Sequence, residues 1–346
     1  MTGRTVLSED LVREAVAFLS GRIRRTPVEF SPALSAIVGV PVWLKLEFLQ
    51  ITGSFKLRGA LFRLSRLSER EGLRGFVTSS AGNHGKAVAY AAKLMGLHVV
   101  VCVPSSVDEA KYRGIVELEA DVRRSPFPGY DRTEDWAIAE AARQGLPFVS
   151  PYDDEEIIAA GGGSLAAEIL EDIPDARTFL VPTGGGGLAA GVAFQALSRH
   201  ADSRIVCCQH EGSPGLLRSI EAGHAVSGLP AIETSAGAIE GGVARLPFEV
   251  LRDRVGLEHV AVTLVNEREI EGAVRWMMHT HQYLIEPASA AAVAAALKGG
   301  PTAITTPAVI ILTGRNVSTK VISKLLGADW PREGARDVGG EDPFGP

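Results

Sequence analysis

Short runs of β-branched and other apolar residues alternate along the chain with longer segments in which apolar positions recur at helical spacing. The runs at 42–46, 76–78, 98–103, 178–181, 204–208 and 309–313 are predicted strands, several of them followed directly by Gly or Ser. The segments 10–19, 54–67, 85–95, 133–143, 188–197, 267–279 and 288–297 are predicted helices, with Gly96 a C-cap for the third. This alternation implies an α/β chain of mostly parallel strands, which need helices on both sheet faces. The stretch 75–150 carries an alternation of its own and is expected to be a small domain inside a large one formed by 1–74 and 151–346. Rich in Gly, Pro and charge, 329–346 reads as a disordered tail.

Composition narrows the classes. With 346 residues, 46% of them apolar, the chain can bury a sizeable core. A net charge of -6 without any run of Lys or Arg leaves no footprint for nucleic acid or anionic lipid, so neither is an expected partner. Three cysteines, Cys102, Cys207 and Cys208, form no disulfide framework and point to a cytoplasmic protein. The N-terminus lacks a basic region followed by an apolar stretch, and no apolar run approaches the ~18 residues of a membrane helix.

Four segments could carry chemistry. In 52–60, Ser54 can cap a helix whose first turn holds Lys56, a cation opposed by the helix dipole. That placement favours the neutral amine that Schiff-base chemistry requires, although a lone lysine reads as readily as a surface one. In 79–85, small residues let backbone amides approach a ligand carboxylate, and Asn83 could donate to a phenolic oxygen; the alternative is a turn with Ser as N-cap. His84 by itself reads as structural. Gly184, Gly185, Gly186 and Gly187 follow one strand and precede one helix, an arrangement suited to a lone phosphate or simply to tight packing. Neither a dinucleotide fingerprint nor a Walker loop fits this spacing. At 310–316 a buried strand ends on Thr313, which could meet a ring nitrogen or cap the next helix, and Glu286 in the turn 285–288 could equally be a cap. H-E-x-x-H, C-x-x-C and G-x-S-x-G motifs are absent, which argues against metallohydrolases and serine hydrolases.

Taken together and in this order, these segments resemble the fold-type II pyridoxal-phosphate enzymes, of tryptophan synthase beta-like fold, and within them the threonine/serine dehydratase and serine racemase family. The resemblance runs from Arg25-Thr26-Pro27 through Lys45-Leu46-Glu47, the lysine block, Ser80-Ala81-Gly82-Asn83-His84-Gly85, Pro151-Tyr152-Asp153-Asp154 and the tetraglycine to Glu286 and Thr313-Gly314-Arg315-Asn316. It implies two open, mostly parallel sheets and pyridoxal 5'-phosphate held by Lys56. Phe55 would pack against the ring, Asn83 would contact its hydroxyl, the four glycines would cradle the phosphate and Thr313 would face the ring nitrogen. Ser80, counted with Lys56 as catalytic, would receive the substrate carboxylate together with Ala81, Gly82, Asn83 and His84. The implied reaction is loss of water and ammonia from a β-hydroxy amino acid, by a mobile small domain closing on a homodimeric enzyme. Racemisation or β-replacement on the same scaffold, or a protein that binds the cofactor without turnover, are the alternatives.

Three departures shape these expectations. Ala81 stands where the racemases carry a proton-handling serine, which demotes racemisation. Gln209 stands where they carry a metal-binding glutamate, so no metal is expected. Ala160-Gly161-Gly162-Gly163-Ser164 and Ile239-Glu240-Gly241-Gly242 differ from the family pattern beside the substrate, which leaves room for a bulkier or acidic β-hydroxy amino acid such as 3-hydroxyaspartate or phenylserine.

Overall fold

The structure is a computed structural model that describes residues 6–72, 75–299, 304 and 306–327; the expected tail lies outside them. Among the described residues nine strands form two sheets. The larger has the order β1-β2-β9-β6-β7-β8, with β1 Val28–Phe30, β2 Val42–Lys45, β6 Thr178–Pro182, β7 Arg204–His210, β8 Val260–Val265 and β9 Ala308–Ile311. Its pairs are parallel except β1 with β2 at one edge. The smaller sheet is wholly parallel, β3 Gly75–Ser79, β4 His98–Val103 and β5 Asp121–Arg124, and a bridge from Val77 to Phe148 extends its free edge. β1, β5 and β8 are not among the predicted strands: β1 is three residues long and β5 is charged, whereas β8, VAVTLV, is a β-branched run that the sequence reading passed over.

Both faces of the larger sheet are covered, as buried parallel strands require. One cover is the helix Pro287–Leu297, apolar all round and buried along all but its last residue, against β6 to β9. On the opposite face lies Gly187–Arg199, packed on a helical run from Glu155 to Asp172. That run contains a π-helical turn, Ala159–Gly163, so the glycines at 161–163 sit inside a helix. They are needed there: a Cβ on Gly162 would lie 2.4 Å from the Leu188 carbonyl oxygen and one on Gly163 2.8 Å from Val12.

Local signals behave as elementary chemistry dictates. Gly96 ends its helix in the left-handed region at φ 65°, and Asn266 with Glu269 forms a capping box at the start of Glu267–Thr280. The three cysteines are free and buried. Among the described residues no helix is long and apolar enough to cross a membrane.

Candidate active site

β2, β9 and β6 lie side by side, and the segments leaving their C-terminal ends are three of the four singled out from sequence. β2 leads through the turn Glu47–Leu49 to Lys56, β9 to Thr313 and Gly314, and β6 to the tetraglycine. Two backbone ties join the first two: the Phe55 amide donates to the Thr313 carbonyl at 3.0 Å, and Ser54 bridges Gly314. The second tie corrects an expectation. Ser54, held in extended pairing, does not cap the helix; Lys56–Glu71 begins after Phe55 with no side-chain cap, and the Ser54 hydroxyl is buried without a partner.

Lys56 remains in the first turn, against the helix dipole. Its Nζ donates to the Pro151 carbonyl at 2.7 Å and lies 5.1 Å from the Phe55 ring centroid and 5.9 Å from that of Tyr152. Burial pushes the amine down from 10.5 to about 8, against the opposing pull of the Glu286 carboxylate. At pH 7 about a tenth of such an amine is neutral and able to attack a carbonyl. A small cavity beside it is lined by Phe55, Gly59, His84, Pro151, Gly161 and Gly187.

The tetraglycine is a cradle that side chains would fill. Gly186 sits at φ +91°, and a Cβ on it would come 2.9 Å from Pro247; on Gly185 it would come 2.5 Å from the Tyr152 ring, and on Gly184 2.8 Å from the Ala238 carbonyl oxygen. The first hydrogen bond of the 13-residue helix runs from the Ala190 amide to the Gly186 carbonyl, so the amides of Gly184 to Gly187 are not taken up by the helix. Such a terminus suits an anion with several acceptor oxygens.

Beyond β3, the Ser80 hydroxyl accepts from the Gly82 amide at 3.2 Å and closes a tight turn through Ala81. The following helix is Asn83–Met95, two residues earlier than predicted, and Gly82 occupies its cap position without a side-chain bond, so no serine caps it. His84 is buried. Its Nε2 lies 3.1 Å from the Thr78 hydroxyl, which itself donates to the Val149 carbonyl, so the ring nitrogen is the donor; burial and Lys56 hold the imidazole down at about 3. The His84 side chain is therefore neutral and structural, leaving its backbone amide for a ligand.

Asn83 donates to Glu286 at 2.7 Å and accepts from Asn316 at 2.7 Å. Glu286 stands before Pro287–Leu297 but makes no side-chain cap bond, which removes the cap reading. Burial raises its carboxyl to about 7, tempered by the Asn83 bond. Thr313 is buried beyond the strand end, and the next helix starts only at Thr319, so it caps nothing.

Other contributors were given no role by sequence reasoning. Arg58, two residues beyond Lys56, is fully buried and donates to both oxygens of Glu47 at 2.7 and 2.9 Å and to Glu168 at 2.8 Å. Lys45, also fully buried, completes the cluster with 2.8 Å bonds to Glu168 and the Thr26 carbonyl. Two cations and two anions thus clamp the lysine helix. Tyr130, at the start of Tyr130–Gln144, has its hydroxyl 3.3 Å from the Ser79 carbonyl oxygen and 3.2 Å from a Glu134 carboxylate oxygen, and burial raises its phenol far above its usual range; the Tyr152 ring covers Gly185. Lys45, Glu47, Arg58 and Tyr152 stood in the motifs that carried the resemblance, but with no role given to them, and Glu168 and Tyr130 did not figure in it.

Gln209 is held by the protein: its Oε1 accepts from the Leu216 and Leu217 amides at 3.0 and 3.3 Å, and its Nε2 donates to the Thr183 carbonyl at 3.3 Å. Among the described residues no group of three or more His, Cys, Asp or Glu is placed to hold a metal.

Comparison with known proteins agrees with this arrangement. Residues 19–314 match the family described as pyridoxal-phosphate dependent enzyme. The chain is 32% identical to an L-threonine ammonia-lyase of Thermotoga maritima over 338 residues, covering 94% of this chain and 79% of that protein. Its fold matches the structure of maize serine racemase with a TM-score of 0.84 at 28% identity, covering 93% of this chain and 98% of that one. The processed form of threonine deaminase isoform 2 from Solanum lycopersicum matches with a TM-score of 0.80 at 26% identity, over 94% and 95% of the two chains. A lysine in the first helical turn beyond β2, a glycine cradle beyond β6, two mostly parallel sheets and a match spanning residues 19–314 place this protein in the pyridoxal-phosphate dependent enzyme family.

Proposed function

We propose that the protein is an ammonia-lyase that converts a β-hydroxy amino acid, threonine, serine or a bulkier or acidic analogue, to a 2-oxo acid and ammonia. The observation that carries the reading is the half-buried Lys56 amine, brought to about 8 by desolvation, in the helix turn that follows β2 on the sheet whose β6 leads to the four-glycine anion cradle. Residues at the site fit pyridoxal phosphate: the amides of Gly184, Gly185, Gly186 and Gly187 would take its phosphate, Phe55 would pack against the ring, Asn83 would donate to the ring hydroxyl and Thr313 would offer a neutral hydroxyl to the ring nitrogen. When bound, the cofactor supplies an electron sink for charge developing at the substrate Cα.

This chain's residues do the rest. Ser80 and the backbone amides of Ala81, Gly82, Asn83 and His84 receive the substrate carboxylate, and Lys56 Nζ takes the proton from Cα. Ala81 supports elimination over racemisation, because its methyl cannot deliver a proton to the opposite face. The unit bearing the smaller sheet, residues 75–150, closes over the substrate, and the active species is a cytoplasmic homodimer, which its sedimentation mass checks.

Lys56→Ala tests the assignment. Its production of oxo acid and ammonia from a panel of β-hydroxy amino acids is expected to vanish while its circular dichroism stays native; retained turnover would refute the role of Lys56. Chiral analysis of recovered substrate and a screen with added thiols distinguish elimination from racemisation and β-replacement.

A further inference from the structure

Four side chains beside the site form a chain of hydrogen bonds with one direction. Lys86 Nζ lies 3.1 Å from Asn316 Oδ1; Asn316 Nδ2 lies 2.7 Å from Asn83 Oδ1; Asn83 Nδ2 lies 2.7 Å from Glu286 Oε1. An ammonium only donates, so the Asn316 atom facing it must be oxygen. Asn316 Nδ2 also meets the Thr52 carbonyl at 3.0 Å, which only accepts, so two constraints fix this amide the same way. Asn83 must then turn its oxygen to Asn316 and its NH2 to Glu286.

That orientation matters because an amide NH2 has two protons. Glu286 uses one, and the other is free to meet a ligand acceptor. A flipped Asn83 would present oxygen there and repel a phenolate. The chain is also tightly packed. A Cβ on Gly53 would lie 2.9 Å from Asn316 Oδ1, and one on Gly314 would lie 2.5 Å from Glu286 Oε1 and 3.2 Å from Asn83 Nδ2. Gly53 sits at φ +79°, so backbone and packing both reserve these positions for glycine.

We propose that Lys86 is a positioning residue: acting through Asn316, it sets the Asn83 amide with its NH2 toward the cofactor's ring hydroxyl. Lys86 and Asn83 are three residues apart on one face of Asn83–Met95, whereas Asn316 and Glu286 flank the larger sheet, so the device spans both sheets. It rests on the reading above that Asn83 contacts the ring.

The test uses the reconstituted enzyme and its Asn83→Ala, Lys86→Met and Lys86→Arg variants, with pyridoxal phosphate as the titrant. Two quantities are read, the dissociation constant and the position of the cofactor's visible absorption band. Lys86→Met is expected to bind about three- to tenfold more weakly, the size of one lost net hydrogen bond. Its band should move in the same direction as that of Asn83→Ala, and Lys86→Arg, which keeps the donor, should restore both. A band in Lys86→Met unmoved from wild type while Asn83→Ala shifts would overturn the positioning role, and so would a shift that Lys86→Arg does not reverse. If Asn83→Ala itself leaves the band unmoved, the ring contact of Asn83 fails first and the role of Lys86 with it.

Discussion

Replacing Lys56 with methionine is expected to stabilise the cofactor-free protein near neutral pH. The wild-type amine falls from 10.5 to about 8 through burial, a gap of about 2.5 units. That corresponds to roughly 3 kcal/mol of disfavour for the charged form in the fold. Methionine fills a similar volume without charge but forfeits the bond to the Pro151 carbonyl, worth about 1 kcal/mol, leaving a net gain of about 2 kcal/mol. The sign follows from linkage. Below pH 8 both folded and unfolded chains carry the proton and the penalty is present in full; between about 8 and 10.5 only the unfolded chain does, so wild-type stability rises with pH. Glu286 works the other way. Its carboxyl, raised from 4.5 to about 7, contributes stability below 4.5 that is lost as the pH climbs through 7. Urea unfolding of the cofactor-free protein across pH should therefore show a minimum between about 7 and 8. The advantage of Lys56→Met should disappear above about 10.5. No gain at pH 7, or a gain that persists unchanged above pH 10.5, would refute the reasoning.

Arg58→Met is expected to cost about 3–5 kcal/mol, because it leaves the fully buried Glu47 carboxylate without a cation and Glu168 with Lys45 alone; thermal unfolding measures it. Gly186→Ala imposes about 1–2 kcal/mol of left-handed strain besides the clash with Pro247, and equilibrium titration should show weakened pyridoxal phosphate binding. Because the Gln209 oxygen is already taken by two backbone amides, turnover should be unchanged by a chelator or by added magnesium or calcium, as a coupled oxo-acid assay checks.

What could be read from the sequence follows the range of the interactions involved. Buried parallel strands write themselves as apolar runs, and glycines needed for close approach leave no substitute, so β2, β4, β6, β7 and the tetraglycine stood out. Ser54 was misjudged because capping chemistry is local while its partner, Gly314, is at the far end of the chain. The partners of Asn83 are similarly remote, 203 and 233 residues away, so its side-chain bonds could not be anticipated from the helix it begins. Arg58 illustrates the same limit: its charge reads as solvent-facing until Glu47 and Glu168 are brought around it.

The three sequestered cysteines have a practical consequence. Burial drives the Cys102 and Cys207 thiols up to about 12 and that of Cys208 well above its usual value, so almost no thiolate exists for an electrophile to find. The native chain is in effect silent to maleimides. A single cysteine introduced at exposed Leu94, on the helix that carries Asn83 and Lys86, would accept a fluorophore alone and report on that helix without first stripping the protein of its own sulfur.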